Sequence, residues 1–197
     1  MPTSGWRQDK VPDNLPDALE IASAAVYVTA MSRRCLAIVT VLAALSLPAV
    51  AQTAKPLSQH KDWAAFVIDE QKGKACYIAS KPKDSEPKNV NRGEIWVLVT
   101  HRPWMKTRNE VSIFTGYPYK KDSTVTVDID GTKFELFTHE DTAWSKTTDD
   151  DGKLVQAMRK GARMVIRGES RRGTKTTDRY SLSGFTAAHK AINSACK

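Results

Sequence analysis

Short apolar runs alternating with polar positions fill the chain from Trp63 onward, and one longer apolar run stands apart at residues 36–47. The short runs have the period of two that sends alternate side chains to one face of a strand. Residues 63–68 and 75–79 are two such runs, and Glu70, Gln71, Lys72 and Gly73 between them predict a hairpin. Residues 81–92 carry two prolines and many charges, the composition of an exposed loop. Residues 94–100 are the most apolar run and predict a central strand. It should stop at His101-Arg102-Pro103, because proline cannot donate to a strand ladder.

Further along, residues 110–115 alternate and Gly116-Tyr117-Pro118 turns the chain. Val125, Val127 and Ile129 alternate with Thr124, Thr126 and Asp128; Asp130-Gly131 is a two-residue hairpin signal, answered by Phe134 and Leu136. A helix is predicted where Asp149, Asp150 and Asp151 meet a positive N-terminus, Leu154, Val155 and Met158 share a face, and Lys160-Gly161 closes. Residues 164–166 begin another strand, Arg171-Arg172-Gly173-Thr174 turns it, and residues 176–182 return. Residues 185–196 predict a terminal helix with Phe185, Ala188 and Ile192 inward. Strands at short spacing without a βαβ rhythm predict a mainly β fold: a single antiparallel β-sandwich or barrel of about eight strands, with one short inserted helix and a C-terminal helix.

The run at residues 36–47 has a different character. Arg33 and Arg34 precede it, and Pro48-Ala49-Val50-Ala51 and Gln52 follow. A charged start, a short apolar stretch and small residues at Ala49 and Ala51 are the pattern of a secretory signal peptide, cleaved between Ala51 and Gln52. As a helix this run rises only about 18 Å, against a hydrocarbon core of about 30 Å, so it is too short to span a membrane. Residues 31–51 are therefore read as the signal peptide. Residues 1–30 are read as an extension upstream of the true start at Met31; a long genuine charged region is the alternative. Residues 52–61 read as a loose leader and residues 62–197 as the β domain.

Cleavage would leave 146 residues, enough to bury a core without help from a metal or an oligomer. It would also remove Cys35 and leave Cys76 and Cys196. An even pair in an exported protein reads as a disulfide.

The chain carries a formal charge of +8, and its distribution is uneven. Residues 52–152 hold 15 basic and 16 acidic side chains, a net −1, whereas residues 153–197 hold 11 basic and 2 acidic, a net +9. Within the basic block, Arg163, Arg167, Arg171, Arg172 and Lys175 are the candidate contacts for an anionic partner, with Arg163 and Arg167 on one strand face. The alternative is a solvated basic face. Nucleic acid is not expected after export; anionic lipid, lipopolysaccharide or a glycan is.

Candidate chemistry is sparse. No nucleophile elbow, zinc-protease helix motif or phosphate loop occurs. His60, His101, His139 and His189 are isolated in sequence and read as surface residues, with no metal and no cofactor called for. His139-Glu140-Asp141 and Asp149-Asp150-Asp151 read as a solvated loop and a helix start. Trp63 and Trp96 read as core, Trp104 and Trp144 as the more exposed tryptophans.

Several stretches taken in order carry a resemblance. They are Cys76-Tyr77-Ile78-Ala79-Ser80, Arg92-Gly93, Val99-Thr100-His101-Arg102-Pro103, Glu110-Val111-Ser112 with Gly116-Tyr117, and Ala157-Met158-Arg159-Lys160-Gly161. Then follow Gly168-Glu169-Ser170-Arg171-Arg172-Gly173-Thr174, Asp178-Arg179-Tyr180-Ser181-Leu182-Ser183-Gly184-Phe185, and Cys196. The set resembles the invasion-associated locus B family of exported proteins from Gram-negative bacteria. That resemblance implies a small β protein of the periplasm or envelope, whose founding members are linked to entry into host cells. It implies no catalytic residues.

The functional expectation is a non-enzymatic exported protein, periplasmic, outer-membrane associated or secreted, that binds an anionic envelope or host component and contributes to host-cell interaction. The alternative is a periplasmic hydrolase with an unrecognised active site.

Overall fold

The structure is a computed structural model and describes residues 53–197. The apolar run, the Ala51–Gln52 junction and residues 1–30 lie outside the described residues. Eleven strands are present among those described: β1 (Lys55–His60), β2 (Trp63–Glu70), β3 (Gly73–Ser80), β4 (Asp84–Glu86), β5 (Trp96–Arg102), β6 (Thr107–Phe114), β7 (Thr124–Ile129), β8 (Thr132–His139), β9 (Thr142–Trp144), β10 (Arg163–Glu169) and β11 (Lys175–Ser181). Helix α1 (Thr148–Lys160) is inserted before β10, and α2 (Phe185–Ala195) ends the fold.

All strands join one antiparallel sheet in the order β1-β2-β3-β5-β6-β9-β8-β7-β10-β11-β4. The expected mainly β antiparallel architecture with one inserted and one terminal helix is what forms. The sheet is sandwich-like and does not close, so β1 and β4 remain edges and the barrel alternative is not realised. Three short pieces raise the strand count above about eight. Residues 55–60, expected as a loose leader, pair with β2 as β1. Residues 84–86, expected as loop, pair with β11 as β4. Residues 142–144 form β9, which links β6 to β8.

Local signals explain the regular parts. Asp130 and Gly131 adopt φ of 46° and 96°, the left-handed pair that a tight hairpin requires, and join β7 to β8. At the start of α1 the Thr147 hydroxyl accepts from the Asp150 N–H at 3.1 Å. Leu154, Val155 and Met158 then bury one face of α1. Asp151, also buried, accepts the Val111 N–H of β6 at 3.1 Å.

The sheet curls on itself. After β3, only three residues intervene before β4, which pairs at the far end of the strand order. Lys83 N–H donates to Arg179 C=O at 2.7 Å, and the Trp63 indole N–H donates to Ser181 C=O at 3.0 Å. The halves thus enclose one core, with Trp63, Ile78, Val99 and Ile113 from one side and Val125, Leu136, Met164 and Ile166 from the other. Helix α2 packs Phe185, Ala188 and Ile192 into the same core, with Phe185 edge-on to Trp63 at 4.9 Å. A disulfide joins Cys76 of β3 to Cys196 beyond α2, with the Cα atoms 6.0 Å apart. It pins the residues after α2 to the third strand of the sheet order. Among the described residues, no helix is long and apolar enough to cross a membrane.

Candidate functional site

The most built polar region lies between the loop of residues 89–92 and the β10–β11 turn at residues 170–174. Its anchor is a buried ion pair. Arg92 donates both terminal nitrogens to Asp178 of β11, at 2.8 and 2.7 Å, and its Nε donates to Thr115 C=O at 3.0 Å. The two side chains are 7% and 1% exposed. Arg92 also lies over the Tyr117 ring, 5.1 Å from its centre. Beside this pair Gly93 N–H donates to Gly116 C=O at 2.8 Å. Gly116 has a φ of 70°, and a Cβ there would collide with the Gly93 backbone, so the two segments approach this closely only with glycine at 116.

The opposite wall is pinned as firmly. Arg171 N–H donates to Pro118 C=O at 2.9 Å, Gly173 N–H to Ser170 C=O at 2.8 Å, and Thr174 N–H to the Ser170 hydroxyl at 3.1 Å. Between the walls is a cavity of about 410 Å³. Asn89, Asn91, Tyr117, Arg171, Arg172 and Thr174 are among its lining residues, and none of the lining residues is acidic. Arg171 and Arg172 are exposed and have no ion-pair partner among the described residues. Arg92 is neutralised by Asp178, so the two turn arginines supply the cavity's uncompensated charge.

Burial raises the Tyr117, Tyr119 and Tyr180 phenols above their ordinary range, so they stay protonated behind this cavity. Tyr117 and Thr176 share a hydroxyl–hydroxyl hydrogen bond at 2.6 Å. Among the described residues, the hydroxyls of Thr115, Tyr119 and Tyr180 are buried without a hydrogen bond of good geometry.

The other basic residues singled out in the sequence are divided. Arg167 and Lys175 line a second, shallower cavity of about 580 Å³ with Lys120 and Lys121. There Lys120 pairs with Glu169 at 3.1 Å and Arg167 approaches Asp128 at 3.9 Å. Arg163 shares a strand face with Arg167 but lines neither cavity, and its near acid is Asp130 at 3.9 Å. Four residues along a strand is about 13 Å, which separates the two arginines. The five candidates therefore form two adjoining groups and one outlier.

The histidine reading needs correction. His60 is half-buried and bonds to Ser58 at 2.9 Å, and His139 is exposed. His101 and His189, however, are buried and meet each other. His101 Nε2 bonds to Asn193 Oδ1 at 2.9 Å, and Asn109 N–H donates to His101 Nδ1 at 3.1 Å. His189 bonds to Asn109 at 2.8 Å and to Asn193 at 3.1 Å. Burial lowers both imidazole pKa values, that of His189 to about 4 with the His101 and Arg159 charges adding to it. This network faces Cys76, the cross-strand partner of His101, and acts as polar packing for α2. No spacing in the sequence betrays it, because its members lie on β5, β6 and α2.

The acidic runs are spent on structure: Asp149 pairs with Lys153 at 2.8 Å, and Asp151 caps a β6 amide. No group of three metal-binding side chains occurs among the described residues. Trp104 is exposed, with its indole donating to Glu70 at 3.0 Å. Trp144, expected to be open, is half-buried on β9 and donates to Ser112 at 3.1 Å. Trp96, expected as core, is half-buried on the outer face with Lys81 over its ring.

The family model for invasion associated locus B protein matches residues 63–193. The chain belongs to this family. Invasion associated locus B proteins thus account for the whole span from β2 into α2. Among solved structures, the crystal structure of invasion associated protein B from Bartonella henselae is similar at a TM-score of 0.48 and 13% identity. That match covers 70% of this chain and 96% of the other. No curated protein matches the chain.

Proposed function

We propose that this protein is exported, loses residues 1–51, and works in the periplasm or at the envelope as a non-enzymatic binder of an anionic component. Membership of the invasion associated locus B family supports an envelope role. The observation that carries the binding reading is the pair Arg171 and Arg172: two uncompensated guanidinium groups on a pinned turn, at the rim of a cavity without a carboxylate. A fixed turn keeps such groups outward, where each can meet phosphate or carboxylate with two parallel hydrogen bonds. Arg167 and Lys175, beside the same hairpin, add a weaker and partly neutralised fringe. Outer-membrane association or secretion would place this surface before lipopolysaccharide, anionic lipid or host glycan, and so before a host cell.

The hydrolase alternative draws no support from the geometry. Ser170 at the cavity accepts from the backbone of Thr174, and the bonds of His101 and His189 run to asparagines and to a backbone amide.

Co-sedimentation with vesicles of mixed neutral and anionic lipid, and with lipopolysaccharide, tests the reading. The wild-type protein should bind at low salt and release as salt rises, because exposed charges are screened beyond about 8 Å at physiological ionic strength. Arg171→Glu with Arg172→Glu should abolish binding and leave the melting temperature unchanged. Equal binding by the double variant would leave the basic block a solvated face.

A further inference from the structure

We propose that the cavity between residues 89–92 and residues 170–174 receives a pyranose sugar bearing one phosphate or carboxylate. The inference rests on the anionic reading above and names the class of ligand.

A flat bilayer would need only the rim. Arg171 and Arg172 supply that, but the cavity behind them is concave, and apart from the Asp178-paired Arg92 its other polar groups are neutral. The Asn89 and Asn91 side-chain amides line it and have no hydrogen-bond partner among the described residues. Each presents both donors and an acceptor, the complement of vicinal sugar hydroxyls. The Thr174 hydroxyl adds a third such group. A volume of about 410 Å³ lies within the range of small-ligand sites and holds about one or two sugar rings.

The aromatic alternative is less well served. Tyr117 is the aromatic residue in the lining, and the Arg92 guanidinium already lies over its ring. A nucleobase would have to compete with that guanidinium for one face of the ring. An acyl chain would find few apolar side chains, Val90 and Pro118 among them. What the walls offer is polar groups beside two cations, with Arg92 anchored at the end of one wall and the 170–174 turn held in place before any ligand arrives.

Titration of the isotopically labelled protein with glucose 6-phosphate and with glucuronate, followed by backbone amide resonances, decides the matter. Glucose and inorganic phosphate are the controls, and the anionic vesicles used above run in parallel. Resonances of Asn89, Asn91 and Thr174 should move, with both acidic sugars binding about tenfold tighter than either control, the gain expected when sugar and anion are held together. Asn89→Ala with Asn91→Ala should erase that advantage while vesicle binding persists. Arg171→Glu with Arg172→Glu should lose both. The sugar assignment is overturned if inorganic phosphate binds as tightly as glucose 6-phosphate, or if the asparagine variant keeps the advantage. If vesicle binding still depends on the two arginines in that case, the anionic reading stands alone; if no anion or vesicle binds, both fall.

Discussion

The imidazoles of His101 and His189 meet edge to face with ring centroids 5.5 Å apart, one on the inner face of the sheet and one on α2. Two asparagines complete the cluster, and burial holds both rings neutral. A histidine whose folded pKa lies below its unfolded value contributes stability above the unfolded pKa and loses it as pH falls through the folded one. The unfolded chain takes up protons from about pH 6.5 downward, whereas folded His189 resists until about 4.

Stability should therefore fall between pH 6.5 and 4, with His189 alone removing about 3 kcal/mol by the lower end. Denaturant titrations across that range check it. The stability gap between wild type and His189→Gln should shrink as pH drops; a gap that stays constant would show that the pair does not titrate in this way.

The disulfide gives a second expectation. Cys76 and Cys196 are separated by 120 positions, so the bond closes a loop that includes almost the whole domain. On the chain-entropy account it stabilises by about 4–5 kcal/mol. Cys196→Ser should lower stability by that order in oxidising buffer. Wild type and variant should converge once the wild type is reduced, which denaturant melts with and without dithiothreitol measure directly.

The Arg92–Asp178 pair predicts an asymmetry. Arg92→Ala leaves Asp178 buried and unpaired and should cost about 3–5 kcal/mol. Removing both charges, as Arg92→Met with Asp178→Asn, should cost less than removing the arginine alone. Thermal melts of the single and double variants give the comparison, and additivity would contradict the pairing.

Export predicts a definite N-terminus. Intact mass and N-terminal sequencing of protein recovered from the periplasm should give Gln52 as the first residue. Recovery of a species retaining residues 1–30 would contradict both the cleavage site and the start at Met31.

Strand alternation, the Asp130-Gly131 turn and the two helix faces were legible in the chain because each is a local signal. A period of two or a left-handed turn pair is decided within a few residues. The Cys76–Cys196 bond was legible from arithmetic, since two cysteines remain after Gln52. The charge asymmetry pointed only to a basic block, Arg163, Arg167, Arg171, Arg172 and Lys175, without ranking its members. What sequence could not supply was the company these residues keep. β1 and β4 are polar and β9 is three residues long, so none carries a strong strand pattern of its own; β1 folds back on β2, β4 finds a ladder on distant β11, and β9 bridges adjacent β8 to distant β6. His101 and His189 read as isolated, and the curl of the sheet with α2 laid across it made them a buried pair. Arg92 looked like one more loop charge until β11 brought Asp178 beneath it. The same closure set Asn89 and Asn91 opposite Arg171 and Arg172. Burial and cross-chain pairing depend on contacts between residues far apart in sequence, so only the tertiary structure could decide them.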